Sequence, residues 1–345
     1  MFIRSVVICL LLVLAACADR GHIAYGPPAA GTTEHAIWAV NFRPTEGPRP
    51  GQSLAPRPDS MRFERHVISV PPGHQTGHIE WPEGTPDAAQ NFVTLESSEY
   101  ADIGEFARHI GQSGSAGDNE IFLFVHGYNY THGEAVYQLA QIAHDFELPA
   151  QPVLFSWPSA GKAVGYLYDR DSALIARDQL ARVITALSDD PRQRLVILGH
   201  SMGNLLVVET LRQMAIAGRV DIAKRVDALI MVSPDIDGEL FYSQASRITP
   251  LPDPTVLLAT SEDRVLRLSA MLTGRTNRLG SAPDRAAVRD LPIKVIDAGD
   301  LGNGGAGHSV ALTSPAAIAI LKNTTPETLP GDQADLEPVK LSGLR

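Results

Sequence analysis

Leu195-Val196-Ile197-Leu198-Gly199-His200-Ser201-Met202-Gly203-Asn204-Leu205-Leu206-Val207-Val208 joins three kinds of sequence without a break. Leu195 to Leu198 is a continuous apolar run, the pattern of a strand buried on both faces of a parallel sheet. From Met202 to Ala217 the pattern turns helical, with Val207, Val208, Leu211, Met214 and Ala215 on one face, and Gly218 stands where a left-handed residue ends a helix. Between them Gly199, Ser201 and Gly203 form G-x-S-x-G, a turn tight enough to lift the Ser201 hydroxyl to the positive end of the helix. With glycine near 7% of residues, chance supplies this pattern about 0.1 times in a chain of such length. The weight therefore rests on the strand before it and the helix after it.

The same alternation continues on both sides. Upstream lie a strand over Ile121 to Val125, a helix over Thr131 to Glu147, a strand over Pro152 to Trp157 and a helix over Asp171 to Leu187. Thr131 and Glu134 have the spacing of a capping box. Downstream, strands are predicted at Ala228 to Val232, Thr255 to Ala259 and Ile293 to Ile296, and a last helix opens at Ser314-Pro315. Alternation at this spacing builds right-handed βαβ units and a mostly parallel sheet with helices on both faces, an α/β domain predicted over 35–323. Only about 20 residues separate Pro234 from Thr255, room for one helix and not for a cap domain. Ahead of Ile121, Ala36 to Phe42 and His66 to Val70 read as two leading strands, with irregular chain between them.

The termini read differently. Arg4 precedes an apolar run from Val6 to Leu14, far short of the about 20 residues that span a bilayer, so residues 1–16 read as a signal peptide. Leu14-Ala15-Ala16-Cys17 matches the bacterial lipobox, which makes Cys17 the expected lipidation site and the mature N-terminus. Ala18 after the cysteine points to the outer membrane, and several acyl chains hold a protein where one would not. Residues 17–34, rich in Gly, Pro, Ala and Thr, are expected to be a flexible tether, and 324–345 a solvated tail.

The 345 residues carry 29 Lys+Arg against 39 Asp+Glu, a formal charge of −10, with no basic run; this argues against a nucleic-acid partner. Two cysteines exclude a disulfide framework. His74 and His78 are the one closely spaced pair worth weighing as metal ligands, and with no cysteine or acidic cluster beside them zinc is not expected. Gly302-Asn303-Gly304-Gly305-Ala306-Gly307 spells G-x-G-x-x-G but opens no βαβ unit, so no dinucleotide is expected.

A serine hydroxyl is a weak nucleophile until a base takes its proton. In strand–turn–helix arrangements of this kind the acid and then the histidine follow the serine in the chain. Of eleven histidines, His308 is the one that follows Ser201. Asp263, behind the strand Thr255 to Ala259, stands where the acid is expected, and Asp235 and Asp237 behind the preceding strand compete with it or cap the next helix. An oxyanion hole needs two backbone N–H donors, and Met202, next after the nucleophile, supplies the first.

Phe124-Val125-His126-Gly127-Tyr128-Asn129, Phe155-Ser156-Trp157-Pro158-Ser159, Gly199-His200-Ser201-Met202-Gly203 and Ser233-Pro234-Asp235-Ile236-Asp237 together resemble the α/β-hydrolase superfamily, and within it a bacterial family of esterases. The likeness spans about Ala36 to Lys322. It implies a serine hydrolase with Ser201, Asp263 and His308 as its triad, no cofactor and no obligate protein partner. By the same analogy the amide of Tyr128 is the second oxyanion donor and His126 a structural hydrogen-bonder; with no cap domain, Trp157 is a candidate pocket wall or equally a core residue. The implied substrate is a small or lipid acyl ester reached from the cell envelope. Thioester hydrolysis or acyl transfer on the same triad remains open, as does a lipid-anchored binding protein without turnover.

Overall fold

The computed structural model describes residues 21–48, 50, 52–114, 119–218, 222, 225–260, 263–274, 278–281, 288, 290–298, 307–322 and 339–340. In chain order the elements are β1 (Thr33–Asn41), β2 (Arg62–Val70), β3 (Val93–Tyr100), α1 (Ile103–Ser113), β4 (Glu120–Val125), α2 (His132–Asp145), β5 (Gln151–Ser156), α3 (Tyr166–Leu187), β6 (Arg194–His200) and α4 (Gly203–Ile216). They continue as β7 (Ala228–Val232), α5 (Gly238–Ala245), β8 (Thr255–Ala259), α6 (Arg264–Thr273), β9 (Ile293–Asp297), α7 (Val310–Thr313), α8 (Pro315–Lys322) and β10 (Val339–Lys340). The strands form one sheet in the order β10-β9-β8-β7-β6-β4-β5-β1-β2-β3. From β1 to β10 every neighbour pair is parallel, and β2 runs antiparallel between β1 and β3. This is the expected α/β architecture.

Each central strand feeds both faces of the sheet, as a strand period of two requires. Leu123 and Val125 of β4 and Leu195 and Ile197 of β6 join one core with α1, α3 and α4, where Phe106, Leu180 and Leu211 are buried. Phe122 and Phe124, with Val196 and Leu198, join a second core against α2 and α8. α2 starts where the sequence places it: Thr131 accepts from the Glu134 amide, and Glu134 returns to the Thr131 amide. Gly218 follows α4 at φ +62°, closing it in the left-handed conformation. Between β7 and β8 the chain makes the single helix α5. Among the described residues no helix is long and apolar enough to cross a membrane.

Three expectations are corrected. The irregular stretch before β4 contains a third leading strand, β3, and an amphipathic helix, α1, capped by Asp102. The tether expected to run to residue 34 is held to the body from Gly21 onward. The Gly21 carbonyl accepts from Thr131 Oγ1 at 2.6 Å, Ala24 is buried with its amide on the Tyr137 hydroxyl at 2.9 Å, and Tyr25 bridges to Thr94. Backbone hydrogen bonds, which a Gly- and Pro-rich sequence does not advertise, hold this segment down. In the expected tail, Val339 and Lys340 pair with β9 as a parallel strand. Residues 1–20, with Cys17 and the expected signal peptide, and 324–338 and 341–345 of the tail lie outside the described residues.

Candidate functional site

Ser201 follows the last residue of β6 with φ +53°, a left-handed conformation that costs a non-glycine residue energy and persists only when its surroundings enforce it. They do so through the backbone. Its amide donates to Val232 O at 2.9 Å, and its carbonyl accepts from the amides of Asn204 at 3.1 Å and Asp235 at 3.2 Å. Asn204 Nδ2 donates to the Ser201 and Val232 carbonyls, tying the turn to β7. The two glycines of the motif are sterically required. A Cβ on Gly199 would run into the Asn204 side chain, and one on Gly203 into the carbonyl oxygens of Val125 and His126. The loop after β4 lies against the serine: a Cβ on Gly127 would stand 2.9 Å from Ser201 Cβ and 3.1 Å from His200 Nδ1.

His308 meets Asp263. Its Nδ1 lies 2.7 Å from Asp263 Oδ2, and the Asp263 side chain is fully buried. The other oxygen, Oδ1, caps α6 by accepting from the amides of Val265 and Leu266, both at 2.9 Å. A carboxylate on Nδ1 leaves Nε2 as the basic nitrogen of the ring. The His308 ring packs 5.1 Å from the ring of His200, the residue before the serine. Burial, and then the neighbouring His308, pull the His200 imidazole down to about 3, so it is neutral.

The competing carboxylates are engaged elsewhere. Asp235 accepts from Ser269 Oγ at 2.6 Å and pairs with Arg278 Nε at 3.2 Å through Oδ1, and takes the Tyr166 hydroxyl at 2.9 Å on Oδ2. Asp237 caps α5 through the Leu240 amide. Asp235 thus joins α3 to α6, and Asp237 starts a helix. Residues 299–306, including most of the glycine-rich loop before His308, lie outside the described residues.

The loop Val125-His126-Gly127-Tyr128 is fixed by a half-buried cation that sequence reasoning did not single out. Arg43 donates through Nε to Ser156 Oγ at 2.7 Å, through Nη1 to Ser159 O at 3.0 Å and through Nη2 to Tyr130 O at 2.8 Å; Nη2 also lies 3.1 Å from His126 Nε2. Burial lowers this guanidinium to about 10, still charged at neutral pH. His126 is buried and held neutral, well below its ordinary range, by desolvation and by Arg43. Its Nδ1 meets Gly127 O at 2.8 Å, and it stacks on Trp157 at 5.0 Å. Trp157 is fully buried and donates to His126 O at 2.7 Å, so it supports the loop from the core and does not wall a pocket. Asp169, whose carboxyl burial pushes up, takes the amides of Asn129 and Ala160 and the hydroxyl of Ser159. Tyr128 donates its hydroxyl to Ala163 O, and Met202 is buried at the N-cap of α4. No sequence pattern announces Arg43 or Asp169, because each acts through long-range contacts to carbonyls and amides.

Among the described residues, two clusters gather metal-type donors: Glu64, His66 and His132, and His74, His144 and Asp145. His78 belongs to neither. His74 bridges Glu80 at 2.8 Å and Asp145 at 2.9 Å, and Glu64 Oε2 receives His66 at 3.2 Å and His132 at 3.1 Å. Ring–carboxylate hydrogen bonds join the first cluster and hold His74 on Asp145, whereas His144 Nδ1 meets His35 Nε2 at 3.1 Å.

The chain is 27% identical over 148 residues to an uncharacterized protein, alr1448, of Nostoc sp., covering 35% of this chain and 37% of that protein. Aspergillus fumigatus lipase B is 18% identical with TM-score 0.42, over 72% of this chain and 62% of the lipase. A dienelactone hydrolase from Anabaena variabilis is 12% identical with TM-score 0.41, over 86% and 96%. The thermophilic carboxylesterase EstE1 from a metagenomic library is 12% identical with TM-score 0.37, over 93% and 94%. The chain thus spans about a third of the Nostoc protein and less than two thirds of the lipase. Residues 102–323 match the family described as alpha/beta hydrolase of unknown function (DUF900). That span holds β4 through α8, with the serine turn, Asp263 and His308, and the chain belongs to this alpha/beta-hydrolase family.

Proposed function

We propose that the protein is a serine hydrolase of the bacterial cell envelope that cleaves carboxylic esters through an acyl-enzyme on Ser201. The observation that carries the reading is the 2.7 Å contact between His308 Nδ1 and the buried carboxylate of Asp263, with the His308 ring packed 5.1 Å from His200, the residue before a serine held at φ +53° on a strand-to-helix turn. Ser201 Oγ attacks the acyl carbon while His308 Nε2 takes its proton. The imidazolium, stabilised by Asp263, returns that proton to the departing alkoxide, and the alcohol leaves. Water, deprotonated by the same nitrogen, attacks the acyl-enzyme; the acid leaves and Ser201 regains its proton. The amides of Met202 and Tyr128 are the proposed donors to the oxyanion. Cys17 is the proposed lipid anchor, which places the enzyme on a membrane, the outer one by the residue that follows it.

The test is covalent labelling of the purified protein with a fluorophosphonate, beside Ser201→Ala, His308→Ala, Asp263→Asn and Asp237→Asn. Labelling that vanishes in Ser201→Ala, falls in His308→Ala and Asp263→Asn and persists in Asp237→Asn is the expected result. A folded wild type that takes no label refutes the reading.

A further inference from the structure

Nine large apolar side chains are exposed among the described residues, and four of the most exposed stand on or just before two helices: Val164 at 93%, Leu167 at 70%, Leu268 at 57% and Met271 at 78%. Val164 and Leu167 flank Tyr166 at the start of α3, and Leu268 and Met271 flank Ser269 and Ala270 on α6. The Tyr166 hydroxyl and Ser269 Oγ are 2.8 Å apart, so the two helices that carry the apolar pairs are joined at that bond. Both helices rise from the carboxyl edge of the sheet. α3 follows β5, and its Tyr166 ring packs 5.4 Å from Tyr128 in the loop over Ser201. α6 begins at Asp263 itself. The patch is therefore a rim of the candidate site. Isolated exposed apolar residues are ordinary, but two exposed pairs on joined helices that start at a site point to something that covers them.

Two further facts choose the occupant. First, the described chain begins on this same edge: Gly21 is bonded to Thr131, the N-cap of α2 and four residues beyond Gly127. Cys17 lies four residues before Gly21, a reach of at most about 15 Å. Second, Lys162 and Arg264, close in sequence to the two apolar pairs, are exposed on a chain whose net charge is −10. Apolar side chains accompanied by cations suit the headgroup boundary of an anionic bilayer. We propose that this rim seats on the lipid surface with the site facing the membrane, so that the enzyme draws acyl esters directly from the bilayer. The inference rests on the ester-hydrolase reading for its chemistry and on the Cys17 anchor for proximity.

The experiment uses the expected mature chain, residues 17–345, carrying Cys17→Ala, so that neither an acyl anchor nor the apolar run Val6 to Leu14 binds in place of the rim, and vesicles of phosphatidylglycerol and phosphatidylethanolamine. The parent is expected to co-sediment with vesicles. Combining Val164→Ser, Leu167→Ser, Leu268→Ser and Met271→Ser should cut the bound fraction roughly fivefold or more, with fluorophosphonate labelling in solution unchanged. Met271→Glu alone should act in the same direction, which keeps the test available if the fourfold variant does not fold. Vesicle binding that ignores these substitutions, or a parent that does not bind, overturns the proposal. So does a dimer, dissolved by the same substitutions, in a protein that ignores vesicles; the rim would then belong to a second copy. If vesicle binding follows the rim while Ser201 takes no label, docking stands and the hydrolase reading falls.

Discussion

Asp263 divides its two oxygens between two tasks: Oδ2 meets His308 Nδ1 at 2.7 Å, and Oδ1 holds the first turn of α6 through the amides of Val265 and Leu266. Asp263→Asn keeps an oxygen for the cap but turns an NH₂ toward His308, forcing the proton onto Nε2, where it blocks base catalysis. Ester turnover is expected to fall about 10³- to 10⁴-fold with little change in thermal midpoint. Asp263→Ala should additionally cost about 1 kcal/mol through the lost cap. Kinetics beside thermal melts separate the two effects. If Asp235→Asn abolished turnover and Asp263→Asn did not, the assignment of the acid would be wrong.

Gly127 and Gly203 predict opposite kinds of damage. A methyl at Gly127 would press on Ser201 Cβ and on His200, so Gly127→Ala should lower the rate of Ser201 labelling about 10²-fold in a protein that still folds. At Gly203 the methyl would meet the Val125 and His126 carbonyls, which belong to the central strand and its loop and have no room to retreat. Alanine normally gains about 0.5–1 kcal/mol over glycine in a helix, yet Gly203→Ala should be destabilising by about 2 kcal/mol or more. Denaturant titration checks the sign.

Arg43→Lys tests whether the half-buried guanidinium positions the loop beside Ser201. A lysine cannot reach Ser156, Ser159, Tyr130 and His126 together, and of the acceptors left without donors Ser156, Ser159 and His126 are buried. The expected cost is about 2–4 kcal/mol. Labelling of the folded fraction should also slow, which a purely structural role would not produce.

The buried histidines set an acid limit. His200, at about 3 in the fold, and His126, also far below 6.5, stay neutral while the unfolded chain takes up protons. The stability they contribute is complete above about pH 6.5 and is lost as pH falls below it, at up to about 1.4 kcal/mol per pH unit for each ring. His74 opposes this trend. Its carboxylate partners raise its pKa despite burial, so its stabilisation is present at low pH and fades as pH rises through the raised value. Urea titrations at pH 7, 6 and 5 should show stability falling, and His200→Asn should make the fall shallower by about one proton.

How much of this could be read from sequence depends on what carried each feature. The β6–turn–α4 unit was legible because a buried apolar run, two glycines and a helical stripe stand in contiguous chain, and His308 because the histidine supply after Ser201 is one. α1 had signals as well: Asp102 and Glu105 at capping spacing, with Phe106 and Ile110 a turn apart and buried. Prolines and charges upstream masked them. β3 carries Glu96, Ser97, Ser98 and Glu99 on an edge half open to solvent, so the apolar alternation that marks a strand is faint. Trp157 could be a pocket wall or core by composition, and its bond to the His126 carbonyl decides for core. Arg43 stayed hidden because an arginine that serves carbonyls distant in the chain leaves no local pattern.

The clasp that holds Ala24 and Gly26 against β3 has one more effect. Thr94 donates to Ala24 O at 2.7 Å, and the Gly26 amide returns to Thr94 O at 3.2 Å, which occupies part of the outermost strand of the sheet. An open strand of this kind is a template on which further chains can add and polymerise. Where proteases trim the N-terminus therefore matters for solubility: a cut before residue 21 leaves this part of the border covered, and one beyond Gly26 opens it to pairing with another chain.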